Sequence, residues 1–212
     1  MKDIADNAIF NGILVMTIVG EFLIPWILKH FYEGYNSKKM VMSALGSPES
    51  PVQSIYNVWL IWLGIFLSFT AIVYFFEAKE KSMVLAVLTL LSILIFAIGA
   101  GLLSGIFSVN ESKDVVTVAS KIHGASAAIG FMTLLFFPLL RGIIAFKLFD
   151  TMQGIVCVLS FVFAVVFFVM FIMGDKKEFE NTIFAYEGLW ERATLLCMYI
   201  PFLYKGIAAL IK

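Results

Sequence analysis

Seven side chains in this sequence are of the types from which a polar site is built, and all fall in or beside runs that are otherwise apolar: Glu21, Ser43, Asn57, His123, Glu187, Glu191 and Arg192. Glu21 sits near the middle of the apolar run containing "TIVGEFLIPW". A carboxylate at such a depth in a bilayer costs about 2.5–3.5 kcal/mol on insertion scales, so it must face other helices, find a partner or take up a proton. Pro25 follows four residues later and has no N–H, which leaves the Glu21 carbonyl without its helical donor. His123, in "SKIHGASAAIG", shares a helical face with Ser120, Ala127 and Gly130, and Ser126 lies beside that face. Small residues let another backbone close in, so His123 is expected at a packed helix interface. There it could serve as a general base, a proton relay or a hydrogen-bond donor to an anionic headgroup.

The stretch "EGLWERATLL" brings three charges to the mouth of the last apolar run. Glu187, Glu191, Thr194 and Met198 fall on one helical face, and acids in a first turn complement the helix dipole. Trp190 is the usual interfacial anchor. Arg192 is at odds with the dipole, which calls for an anionic partner: Glu191, Glu187, Glu21, or the phosphate or carboxylate of a ligand. The segment "SALGSPESPVQSIYN" carries two prolines and a glycine, the composition of a fixed turn, and could bring Ser43, Ser47, Glu49 and Asn57 to the same mouth. Each residue also has an ordinary structural role open to it. Glu21 could bond a neighbouring helix, His123 a loop carbonyl, and Arg192 could snorkel to the interface. Their convergence on one membrane face is the functional signal, with His123, Glu191 and Glu21 as candidate acid–base groups.

The elements that must position these residues are legible from composition. Of 212 residues, 61% are hydrophobic and 14% charged, against about a quarter charged in a soluble domain. The apolar residues lie in unbroken runs, and a bilayer core about 30 Å thick needs about 20 of them per helix. Six runs qualify, at residues 8–31, 55–76, 83–107, 117–140, 154–173 and 189–211. The fold class is therefore all-α: an integral membrane bundle of six transmembrane helices, read as a single domain over residues 1–212. Fifteen basic and fifteen acidic residues cancel, so no basic field is present to attract nucleic acid. Cys157 and Cys197 lie deep in apolar runs and read as packing residues, and two scattered histidines imply neither a metal nor a cofactor site. Gly101 and Gly105 in "GAGLLSG" have the spacing of a close helix contact. Lys205 is expected to snorkel to the surface.

Both termini fall on one side of such a bundle, with Lys2, Lys79, Lys81, Arg141, Lys147, Lys205 and Lys212. The other side carries Lys29, Lys38, Lys39, Lys113, Lys121, Lys176, Lys177 and Arg192, a near balance that gives no positive-inside signal. Setting aside Lys29, Lys121 and Arg192 as residues at span edges favours cytoplasmic termini. The longer loops, and the site, are then on the opposite face.

The order of the "SALG" turn with its prolines and Asn57, the histidine of "KIHGASAA" and "GLWER" resembles the prokaryotic membrane family catalogued as domain of unknown function 998. That family in turn looks distantly like the six-span group of Frag1, DRAM and Sfk1 proteins, which are associated with membrane lipids and autophagy. The resemblance covers nearly the whole chain. It implies the six-span architecture and the grouping of Ser43, Asn57, His123, Glu191 and Arg192, but no established activity. Four readings stay open, in this order: a protein that binds a membrane lipid or amphiphile at the non-cytoplasmic face, a structural or partner-binding subunit, an intramembrane acid–base enzyme, and a proton-coupled transporter. A homo-oligomer is compatible with each.

Overall fold

A computed structural model describes residues 2–110 and 116–211; of the lysines counted above, Lys113, Lys212 and the side chain of Lys2 lie outside the described residues. Among the described residues, six helices are long and apolar enough to cross a membrane: α1 (Ala8–Phe31), α2 (Gln53–Ala78), α3 (Met83–Ile106), α4 (Val118–Lys147), α5 (Thr151–Gly174) and α6 (Glu187–Ile211). Sequence signals set their starts. The Asn7 side chain accepts from the amides of Ile9 and Phe10 at 2.9 and 3.1 Å, and Asp150 accepts from Gln153 at 3.0 Å. Thr117 and Ser120 form a reciprocal capping box at α4. These bonds satisfy amides that a helix start otherwise leaves orphaned, which matters most where water is scarce.

The helices pack in chain order, with α6 closing the ring against α1. The first half of α4 packs chiefly on α3, whereas its second half, from Phe137, joins α5. Between Ala97 and Leu103 α3 widens into a π segment, where it touches α2 backbone to backbone. A Cβ on Gly101 would stand 2.6 Å from the Gly64 Cα, and one on Gly105 would stand 2.8 Å from the Asn57 carbonyl oxygen. The glycine spacing thus makes the close contact expected of it. π segments open the hydrogen-bond ladder and recur at functional sites. Here the widened turn carries Ala100 to the wall of the cavity described below.

At the end of the bundle nearer the termini, Glu77 of α2 bonds Lys205 of α6 and lies 3.4 Å from Arg141 of α4. Both cations also sit over the Tyr74 ring, at 5.0 and 5.2 Å. The expectation that Lys205 snorkels outward is corrected: it is 9% exposed, because a carboxylate and an aromatic face inside the bundle offer it partners closer than the surface. Above this cluster runs a column of rings. Tyr74 and Phe137 both stack on Phe202, at 5.7 and 4.3 Å; Phe202 meets Tyr199 at 6.1 Å, and Tyr199 meets Phe96 at 6.0 Å.

Candidate functional site

The loop between α1 and α2 folds back onto the bundle instead of standing in solvent. Its short 3-10 turn Met42–Gly46 buries Met42, Ala44 and Leu45, as its prolines and glycine lead one to expect. The first turns of α6 hold it there. The Lys38 carbonyl accepts from the Leu189 amide at 3.0 Å, and the Met42 amide donates to Glu191 Oε2 at 2.6 Å. Arg192 Nη1 donates to the carbonyls of Ser37, Met40 and Gly188 at 2.8, 3.2 and 2.6 Å. Its Nη2 donates to the Tyr35 hydroxyl at 2.6 Å, and Tyr35 passes a bond on to the Val41 carbonyl at 3.1 Å. Burial pushes the Tyr35 phenol up to about 12, so it stays protonated and able to relay at physiological pH.

This resolves why an arginine stands at the positive end of a helix. Its partners are oriented carbonyl dipoles of a folded loop, while Glu191 lies 3.9 Å away, at the outer limit of an ion pair. Gly188 must be glycine for the same reason, since a Cβ there would run into the carbonyls of Met40 and Ser37.

Beneath the loop lies a cavity of about 50 Å³. Its polar lining is Glu21, Ser43, Tyr56, Ser104, His123 and Glu191, drawn from the loop and all of the helices except α5. Glu21 is 3% exposed and Glu191 6%, so two carboxyl groups share one buried space. Trp59 Nε1 donates to Glu21 Oε2 at 2.7 Å, which leaves Oε1 without a protein donor among the described residues. His123 Nδ1 faces the Phe107 carbonyl at 2.8 Å. A carbonyl can only accept, so Nδ1 carries hydrogen, and in the neutral ring Nε2 is then the acceptor.

A second space adjoins the first. It is a groove of about 460 Å³ along the seam where the first half of α4 parts from α5, with apolar walls from Ala128, Met132, Phe168, Phe171 and Ile172. Phe131 and Phe171 approach across it at 6.0 Å. Ser43, Ala127, Phe131, His123 and Glu191 line both spaces, so cavity and groove share a wall. Glu187 and Asp175 stand at the groove's rim.

Of the seven residues singled out from sequence, Glu21, Ser43, His123 and Glu191 meet in the cavity and Glu187 lines only the groove. Arg192 and Asn57 line neither of these spaces. Asn57 Nδ2 bonds Ser108 Oγ at 3.1 Å and the Gly46 carbonyl at 3.5 Å, tying the loop turn to the end of α3. Glu49 is exposed, and Ser47 is buried away from the cavity. Sequence reasoning passed over Tyr56 and Trp59, which place a hydroxyl in the cavity and a donor on Glu21. The signal was available: the two aromatics stand one turn apart on either side of Asn57 in "SIYNVWL".

The chain belongs to the family described as "Protein of unknown function (DUF998)", whose sequence model matches residues 17–206 and so takes in every residue of the cavity and groove. No curated protein and no solved structure matches the chain.

Proposed function

We propose that this DUF998 protein binds a membrane lipid or other amphiphile, its apolar chain in the groove between α4 and α5 and its polar end at Ser43, His123 and Glu191. The observation that carries the reading is the shared wall: an apolar groove runs into a small cavity in which carboxyl, imidazole and hydroxyl groups converge. Ligand sites have this composition, mostly apolar with a few placed polar groups. Arg192 is taken up by the loop, so its part in the reading is to fasten the roof of the cavity.

We place the termini in the cytoplasm and the roofed end on the outer face of the cell membrane. With Arg141, Lys205 and Arg192 held inside the bundle, the remaining lysines do not decide the orientation. The assignment therefore rests on labelling. Cys157 and Cys197 are buried, whereas Glu49 and Lys81 are exposed in loops at opposite ends of the bundle. A membrane-impermeant thiol reagent applied to intact cells should modify Glu49→Cys and spare Lys81→Cys. The reverse pattern inverts the topology.

The binding reading is tested by native mass spectrometry of protein purified in mild detergent, comparing wild type with Ala128→Trp. Ala128 is exposed on the groove wall, so the indole fills the groove and leaves the core alone. A lipid retained at one copy by wild type and lost from the variant is the expected result. Equal retention, or a bare wild-type protein, moves the reading to a structural or partner-binding subunit.

A further inference from the structure

Resting on that binding reading, we infer that the polar end of the ligand is a primary amine, held as an ammonium between Glu21 and Glu191. The first argument is hydrogen-bonding sense. Glu21 Oε1, Glu191 and His123 Nε2 offer acceptors, and the hydroxyls of Ser43, Ser104 and Tyr56 can accept as well as donate, so a group that donates finds the most partners in the cavity. Phosphate, sulfate and carboxylate heads accept, and they would face two carboxyl groups. No lysine or arginine lines the cavity or the groove among the described residues.

The second argument is independent of the acids. Tyr56 is 2% exposed, lines the cavity, and its hydroxyl makes no hydrogen bond among the described residues. A buried hydroxyl without a partner is costly, so something in the cavity is expected to bond it. The third is charge balance. Arg192 reaches only the edge of Glu191, at 3.9 Å, while Glu21 has a neutral indole as its partner. With both acids ionised, one guanidinium leaves the site one cation short, and a bound ammonium supplies the balance that a proton on Glu21 otherwise provides.

Size then separates the amines. About 50 Å³ admits a group the size of a water molecule and the carbon that bears it. A trimethylammonium head is larger and donates no hydrogen bond. Tyr56, Phe96 and Phe131 in the cavity wall add aromatic surface favourable to a cation. An aminolipid and a free long-chain amine both meet this description.

The experiment uses full-length protein in a non-ionic detergent and follows adducts by native mass spectrometry with dodecylamine, dodecyltrimethylammonium and dodecyl phosphate. Dodecylamine should bind wild type at one copy, at least tenfold more tightly than either of the others. Glu21→Gln and Glu191→Gln keep the acceptors used by Trp59 and Met42, and each should weaken dodecylamine at least tenfold. Glu49→Gln, an exposed acid outside the site, should not. A further arm compares phosphatidylethanolamine with dodecylamine: preference for the former assigns the amine to a lipid headgroup, and preference for the latter to a single-chain amine. If dodecyl phosphate or dodecyltrimethylammonium binds as well as the amine, or if the glutamine variants retain it, the headgroup assignment is overturned while the groove reading stands. If no probe binds wild type, both fall.

Discussion

Replacing Arg192 by methionine keeps an unbranched apolar stem and removes all four of the guanidinium's hydrogen bonds, to Ser37, Met40, Gly188 and Tyr35. A bond to a charged group contributes about 1.5–3 kcal/mol, and bonds sharing one donor do not add. The bond to Gly188 lies within α6, and the guanidinium is partly accessible, so water can take over some of the freed carbonyls. We therefore expect a loss of about 3 kcal/mol, equivalent to a Tm lower by about 6–12 °C for a chain of this size. The damage should be local. Protease and hydrogen exchange should find the backbone of residues 35–46 less protected in Arg192→Met, with α2–α5 unchanged. Arg192→Lys should recover only a minor part, because an ammonium is a point donor and cannot fork between the loop carbonyls and Tyr35. A Tm within about 2 °C of wild type, with the loop equally protected, would refute the view that Arg192 fastens the cavity roof.

Other outcomes follow from the same geometry. Glu77→Gln leaves Arg141 and Lys205 without their shared acid and should destabilise by about 3 kcal/mol, measured as thermal unfolding in detergent; adding Lys205→Met should restore much of it. Trp59→Phe removes the donor to Glu21 and should lower stability by about 1–3 kcal/mol, whereas Trp62→Phe, which removes an indole N–H donated to the neutral Thr17 hydroxyl at 3.3 Å, should cost less. Gly101→Val forces α2 and α3 apart and should lower the yield of folded protein in a fluorescence-detected size-exclusion assay. The Tyr35 phenol is raised from 10 to about 12 in the folded state, so its contribution is complete below pH 10 and is lost as pH rises toward 12. Alkaline unfolding followed over that interval should be shallower for Tyr35→Phe, by up to about 2–3 kcal/mol across the window.

The spans were legible because bilayer thickness leaves little freedom: residues 8–31 and Ala8–Phe31 coincide, and the other five differ chiefly at their ends. The largest difference is at α4, which runs on through Arg141 to Lys147. An arginine reads as the end of a span in a one-dimensional sequence, yet Glu77 lies 64 positions earlier and is invisible to any window around it. The convergence of Glu21, His123, Ser43 and Glu191 was legible for a related reason. Glu21, His123 and Glu191 are polar residues that a membrane helix cannot leave facing lipid, so the interior was the remaining place for them, and Ser43 was marked by the prolines and glycine of its turn. What a polar residue meets inside was not legible. Arg192 was expected to find an anion; it reaches Glu191 at 3.9 Å but directs its hydrogen bonds to carbonyls and to Tyr35, because the direction of a backbone dipole depends on how the chain folds back and not on which residues it contains. Tyr56 and Trp59 escaped notice because aromatics are common in apolar runs, and nothing in their neighbours marks a hydroxyl or an indole N–H as aimed inward.

The bonds that fasten the first loop to α6 have a consequence for synthesis. The Met42–Glu191 bond joins residues 149 positions apart, and Arg192 bonds Ser37 across 155. At about 5–20 residues per second, the loop leaves the ribosome roughly 7–30 s before its fastener. Through that interval Glu21 is already in the bilayer and the cavity has no roof. Biogenesis therefore passes through a stage in which five helices enclose an unclosed carboxyl, and the last helix acts as the latch. A nascent chain stalled before α6 should be held by membrane chaperones or degraded, and chains trimmed after Tyr186 should turn over faster than chains trimmed after Lys205.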